Sequence, residues 1–263
     1  MNKKNKTAGL LVILVALLAV TGCTGERLRV GKLQTESRSV ELGGAESVQV
    51  EIMIAAGELE VSGGANELLE AEFTYNVAEL EPEVEYSGGT LAVRTPDVDV
   101  KVDSFWDLDD YRYEWDLRLN DEVPMEMSVE IGAGRADLEL GTLSLARLDV
   151  KRGAGEVNVD LSGASSLTRL EIGGGAGQVT VDLTGDWGTD LDANIDGGVG
   201  EITVRLPRSV GVRVGVQLGI GQVNASGFTK DGDDYVNDAY GESDVTLRID
   251  IGGGVGEINL ELE

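Results

Sequence analysis

The feature that most constrains this chain is a nine-residue phrase, Gly153-Ala154-Gly155-Glu156-Val157-Asn158-Val159-Asp160-Leu161. Copies of it occupy residues 132–140, 175–183, 198–206, 219–227 and 254–262. A fainter copy, with Ala55 where the first glycine belongs, runs over 55–61. The second glycine falls at positions 57, 134, 155, 177, 200, 221 and 256, so the middle spacings are 21, 22, 23 and 21 residues and the outer ones 77 and 35. Recurrence at intervals of about 20–50 residues marks an array of stacked units, none of which can bury its own apolar face alone.

Around each marker glycine the apolar residues keep fixed offsets. Val157, Val159 and Leu161 follow at two, four and six residues, as do Val179, Val181, Leu183 and Ile202, Val204, Leu206. Leu148 and Val150, Leu170 and Ile172, and Ile249 and Ile251 precede it at seven and five. Alternation with period two is the signature of a half-buried strand. The parity is even after the glycine and odd before it, so the side chains change faces there and a corner is required. Glycine suits a corner because it tolerates positive φ and close backbone approach. Each unit therefore reads as strand, glycine corner, strand and connection. Stacked at roughly 4.8 Å, such units give an all-β, β-helix-like stacked-strand β-solenoid. A two-sheet β-sandwich built of hairpins is the rival that periodicity alone leaves open.

The segments outside the repeat divide the chain. Residues 1–22 carry Lys3, Lys4 and Lys6 ahead of an eleven-residue apolar run at 10–20, too short for the roughly 18–20 residues that span a bilayer. Val20-Thr21-Gly22-Cys23 follows and resembles a bacterial lipobox, which predicts a lipoprotein signal peptide over 1–22 and lipidation of Cys23. The lipid would anchor the protein to a membrane outside the cytoplasm. Cys23 is the one cysteine in the chain, so neither a disulfide nor cysteine catalysis is expected. Residues 23–46 are polar with little pattern and read as a tether. Residues 47–100 alternate as a small β module of hairpins, with Gly63-Gly64, Pro82 and Gly88-Gly89 as turns. An acidic, aromatic joint at 101–114 leads to the repeat domain at 115–263.

Charge and composition exclude several functions. The leader holds three of the 21 basic side chains and none of the 48 acidic ones, which leaves 18 against 48, a balance of −30. Phosphate recognition needs clustered Lys and Arg, so nucleic acid is not an expected partner. The chain has no histidine, which removes Ser-His-Asp catalysis and His-ligated zinc. The Gly-x-Gly phrases are followed by strand alternation rather than a helix, so they are not dinucleotide loops. Five of the twelve aromatics lie in 105–116 among carboxylates. Trp106 and Tyr111 beside Asp107, Asp109 and Asp110 could bind a ligand, since aromatic faces stack on sugars and paired carboxylates serve glycoside hydrolysis. The plainer reading of the same residues is an acidic joint between modules, with Trp115, Leu117 and Leu119 turned inward as the first strand of the solenoid. The acidic stretch 228–244 reads as a loop inserted between coils. It lacks calcium-loop order, and no metal or cofactor is predicted.

Specific runs carry a resemblance. Gly57-Glu58-Leu59-Glu60-Val61-Ser62-Gly63-Gly64-Ala65, Phe73-Thr74-Tyr75-Asn76-Val77 and Pro82-Glu83-Val84 resemble the N-terminal part of bacterial toast-rack proteins. Trp115-Asp116-Leu117-Arg118-Leu119-Asn120 and the Gly-Ala-Gly repeats resemble the part that follows it. Residues 206–214 are similar to the C-terminal domain of LiaF-type cell-wall-antibiotic response proteins. The resemblance implies an extracytoplasmic all-β body of a kind sometimes labelled adhesin-like, and it brings no catalytic residues. The expectation is a non-enzymatic, surface-anchored lipoprotein whose solenoid engages an envelope protein or glycan. Envelope-stress regulation of the LiaF kind and a carboxylate-dependent carbohydrate-active enzyme are the alternatives.

Overall fold

A computed structural model describes residues 29–97, 110–164 and 166–263. The strands are β1 (Gln34–Val40), β2 (Val48–Ser62), β3 (Leu69–Tyr75), β4 (Glu83–Ser87), β5 (Thr90–Arg94), β6 (Tyr113–Leu119) and β7 (Met125–Glu139). There follow β8 (Leu145–Asp160), β9 (Arg169–Asp182), β10 (Leu191–Leu206), β11 (Gly211–Ser226), β12 (Thr229–Asp231), β13 (Asp234–Val236) and β14 (Thr246–Leu262). All fourteen belong to one sheet, and the one helical element among the described residues is a 3-10 turn at Ala78–Leu80. The chain is the predicted all-β stack of strands.

Each long strand is one rung, bent at its glycines into two arms. Neighbouring rungs pair in parallel with phrase opposite phrase: Gly57 with Gly134, Gly134 with Gly155, Gly155 with Gly177, and Gly177 with Gly200. The bend explains the switch of parity. Val150 before it and Val157 and Val159 after it are all buried, and the two arms pack their inner faces together. Val159 stacks on Val181 and Val181 on Val204. Each such side chain contributes about 1.5–3 kcal/mol of gross burial before conformational entropy is charged against it. Turn residues between rungs close the remaining side of the core. Leu140, Leu161 and Leu183 are buried, as is Trp187, whose Nε1 donates to the Leu183 carbonyl at 2.8 Å.

The glycine column is a steric requirement. Gly155 has φ +127°, and a Cβ built on it would collide with the carbonyl oxygen of Gly134 on the next rung. A side chain at Gly153 would likewise strike the Gly132 carbonyl. This crowding points toward the β2 end of the stack, which explains Ala55. On that side its backbone N–H meets the Thr95 hydroxyl at 3.1 Å rather than another glycine crease.

Three expectations need correction. First, the units do not all stack in chain order: the rungs run β2-β7-β8-β9-β10-β14-β11, so the C-terminal strand slots between β10 and β11. The reason is the long insertion after β11. Part of it forms the β12–β13 hairpin, which extends the first arm of β11 at Arg213–Gly215, and the chain then returns into the slot. Asn237, 4% exposed, holds that return in place. It accepts from Val212 N at 2.9 Å and donates to the Val210 carbonyl at 2.7 Å. Second, the tether assigned to 23–46 contains β1, antiparallel to β3. Third, β2 is not a hairpin strand. It is the first full rung, paired along its length with β7. On its other side β5 covers the first arm and β6 the second. Two separate strands thus supply one further rung, and the module and the repeat domain share a single sheet.

Candidate binding face

The structure places only part of the predicted ligand cluster. Cys23, Trp106, Asp107 and Asp109 lie outside the described residues. Asp110 is exposed. Its carbonyl accepts from Asn76 Nδ2 at 2.5 Å, and Asn76 Oδ1 accepts from Arg112 N at 2.9 Å, so the chain is pinned where it rejoins the sheet. Tyr111 is half-buried. Its hydroxyl donates to the Ala56 carbonyl at 3.0 Å and its ring stacks on Tyr113 with centroids 6.2 Å apart. Tyr113 and Trp115 are each 2% exposed, and Phe73 meets Trp115 edge-on at 5.5 Å. Loss of solvent pushes the Tyr111 phenol up to about 12 and Tyr113 upward as well. The described aromatics therefore close one end of the core, and Trp115, Leu117 and Leu119 point inward as the alternative reading expected.

The chain's repeated polar chemistry lies on the outer face of the second arm. Alternation that turns Val157 and Val159 inward turns Glu156 and Asn158 outward. Registered pairing then lines up Glu58, Arg135, Glu156, Gln178, Glu201, Glu257 and Gln222 as one ladder. Beside it run Glu60, Asp137, Asn158, Thr180, Thr203, Asn259 and Asn224. The displaced rung order makes Glu201 and Glu257 neighbours, a like-charge contact that chain order alone would not place. Amides offset it. Gln178 Nε2 and Asn259 Nδ2 donate to Glu201 at 3.2 and 2.9 Å, and Asn224 Nδ2 donates to Glu257 at 2.6 Å. Arg135 donates to both oxygens of Asp137, at 2.7 and 3.1 Å. That bond, with help from Asn158, holds the Asp137 carboxyl below the usual carboxylate range.

This face spans ten strands, about 43 Å at the usual spacing of roughly 4.8 Å. Its relief is shallow. A recess of ≈210 Å³ lies among Glu58, Glu60, Glu72, Glu114, Asp116 and Arg135. Another of ≈380 Å³ lies among Arg38, Glu70, Glu72, Asp116 and Arg118. Among the described residues no group of three or more carboxylates is arranged to hold a metal ion. Fixed, regularly spaced acceptors and amide donors on a broad surface suit many weak polar contacts with an extended or repeating partner. A small molecule is normally enclosed in a concave, largely apolar pocket instead.

A creased single sheet with registered glycine columns defines a stacked-strand repeat protein. A family described as the N-terminal domain of toast_rack, DUF2154, matches residues 29–167 and 164–205, and the chain belongs to that family. Among solved structures, a candidate cell adhesion protein from Clostridium sporogenes is 32% identical, over 88% of this chain and 100% of that one, with a TM-score of 0.68. A candidate adhesin from Bacteroides fragilis is 11% identical over 89% of this chain and 100% of its own, with a TM-score of 0.32. A candidate lipid binding protein from Parabacteroides distasonis is 9% identical over 88% and 98%, with a TM-score of 0.34. The last two fit too loosely for their names to bear on this chain. No curated protein matches it.

Proposed function

We propose that this protein is a non-enzymatic, adhesin-like component of the cell envelope, tethered by a lipid on Cys23, with the outer face of the second arms as its binding surface for an envelope glycan or protein. The observation that carries the reading is the 32% identity with the candidate cell adhesion protein, which extends over all of that chain and most of this one. The ladder of amides and carboxylates supports it, because that surface is rigid and repetitive. The absence of histidine from the sequence narrows the chemistry open to an enzyme. Among the described residues no helix is long and apolar enough to cross a membrane, so in this reading attachment depends on the lipid.

The test is retention of cells displaying the full chain on immobilised envelope polysaccharides and envelope proteins. Displaying cells should be held on at least one of these surfaces. Asn158→Ala combined with Gln178→Ala should weaken retention several-fold while leaving the fold intact. Failure to bind any of the surfaces, or unchanged binding by the double variant, contradicts the assignment of the face. Cys23→Ser should release the protein from membranes and abolish acyl labelling, and persistent labelling would refute the anchor.

A further inference from the structure

The stack stops at β11, a strand with one side largely unused. β11 pairs with β14 over Gly211–Ser226, but on its other side β13 covers only Arg213–Gly215. Among the described residues no strand lies beyond the stretch from Val216 to Ser226. The inner side chains of that stretch are Val216, Leu218, Val223 and Ala225, registered with Ile251, Gly253, Ile258 and Leu260. Ile251, Ile258 and Leu260 are buried, whereas the four on β11 are only partly so. The outside of the crease points to the same end. The middle residue of each Gly-x-Gly phrase stands there, and in rung order the column reads Ala56, Ala133, Ala154, Ala176, Val199, Val255 and Ile220. The last three are 56, 47 and 71% exposed. The exposed apolar side chains therefore grow larger as the column nears the open edge.

A free edge is a template for another strand, and charged side chains are the usual guard against it. That guard is missing from 214 to 229, in a chain of 48 acidic and 21 basic side chains. The strand that fills this edge has to meet a narrow condition. Inner positions are 216 and 218 before Gly221 but 223 and 225 after it. A straight strand keeps one parity, so it can continue the core along one arm only and turns its outer residues inward along the other. The strand that continues both arms must change faces at the same bend, and β11 of a second copy does so. Laid antiparallel with crease on crease, it sets Val216 opposite Ala225 of the second copy, Leu218 opposite Val223, and Gln217 opposite Asn224. Inner residues meet inner ones and outer meet outer along both arms. Parallel pairing of the same two edges would turn one core outward. The far end of the stack offers no such strand, since β1 has no glycine crease and carries Glu36 and Arg38.

We propose that two copies of this chain pair through β11, antiparallel about a two-fold axis at the crease, and so join their cores into one longer stack. The interface is isologous and closed, which gives a dimer and not a filament. The β12–β13 hairpin sets its limits, because it holds the edge up to Gly215 and leaves 216–225 of each copy to pair. The contact is free of charge on both sides, so the acidic surfaces of the two copies stay apart. Association follows mass action, and at high dilution the single chain keeps its partly solvated edge.

The experiment is sedimentation of the full chain carrying Cys23→Ser, which removes the native thiol and any lipid on it as causes of association. The mass should rise with concentration from one chain to two and stop there. Gln217→Cys combined with Asn224→Cys should then give a disulfide-linked dimer on oxidation, because directly opposed residues stand about 4.5–5.5 Å apart at Cα, within disulfide reach. Neither cysteine alone should link. Gln217→Lys with Asn224→Lys sets like charges opposite each other on the outer face and should weaken association several-fold, while Gln217→Lys with Asn224→Glu should restore it. A chain that stays monomeric up to about 1 mM would overturn the proposal. So would oligomers larger than two, or linkage through Asn224→Cys alone, which would mean pairing by the second arms only. An edge reserved for an extended peptide of another protein would show itself as the monomeric result. If the cysteine variants do not fold, sedimentation of the chain with β11 unaltered decides the matter.

Discussion

The two ends of the stack solve the same problem differently. Beyond β2 the core is finished with large aromatics: Phe73, Tyr113 and Trp115 are buried there, and β1, β3 and β4 extend the sheet over them. Beyond β14 only β11 remains, and the hairpin covers just Arg213–Gly215 of it. Val216, Leu218, Val223 and Ala225 are half-buried, and Ile220 is 71% exposed. The flanking chemistry differs too. The outermost strand at the β2 end carries Glu36 and Arg38, charges of the kind that discourage pairing with another sheet. From residue 214 to 229, at the other end, no residue is charged. The stability of a solenoid is a sum over rungs and their interfaces, so the end closed by aromatics should be the firmer one.

The largest expected effect bounds this comparison from the middle of the stack. Gly155→Ala puts a methyl group onto the Gly134 carbonyl at φ +127° and should cost at least ~4 kcal/mol, seen as loss of the cooperative urea transition. Next comes Trp115→Ala at the closed end, at about 3–5 kcal/mol. Val223→Ala at the open end should cost about 1 kcal/mol or less, because its site is already partly solvated. Equal losses for these two would erase the distinction between the ends.

Alkaline titration probes the closed end by another route. Burial raises the Tyr111 phenol to about 12 in the folded chain, against roughly 10 when unfolded. Between those values the unfolded chain has released a proton that the folded chain still holds. Stability is therefore complete below about pH 10 and falls as pH climbs toward about 12. Tyr111→Phe should reduce that slope, leaving the part that buried Tyr113 contributes, and cost about 1 kcal/mol at neutral pH through the lost bond to Ala56. The smallest effect should come from Ile220→Lys, within about 0.5 kcal/mol of the parent, since the side chain stands in water at the outer crease.

The rung itself was legible because its causes are local. Glycine spacing and the change of parity around it place Val157, Val159 and Val204 in the core, where they are found. What stayed hidden depends on distant parts of the chain. Spacing says that something intervenes between residues 221 and 256, but nothing local says that the last strand turns back into a slot. β1 escaped because Gln34–Val40 buries no residue fully, so it has no apolar alternation to read. Arg152 falls on an inward position of its rung and is 6% exposed, yet a lone charged residue beside a corner looks like part of a turn. Only Gly174, Gly197 and Gly253, registered with it on the next three rungs, show the room it occupies. Of the predicted ligand cluster, Tyr111 looked like a platform for sugars because its sequence neighbours are acidic, whereas its hydroxyl and ring are used against Ala56 and Tyr113.

The central claim is the rung order, with the C-terminal strand sixth in the stack and not seventh. Cross-linking of cysteine pairs on the outer face tests it most directly, in full chains where Cys23→Ser has removed the native thiol. Thr203 is registered with Asn259, and Asn259 with Asn224. A reagent that spans one rung spacing, roughly 5 Å, should therefore join Thr203→Cys to Asn259→Cys, and Asn259→Cys to Asn224→Cys. It should leave Thr203→Cys and Asn224→Cys unlinked, two rungs apart. Efficient linkage of positions 203 and 224, with none between 203 and 259, would show rungs stacked in chain order and contradict the account.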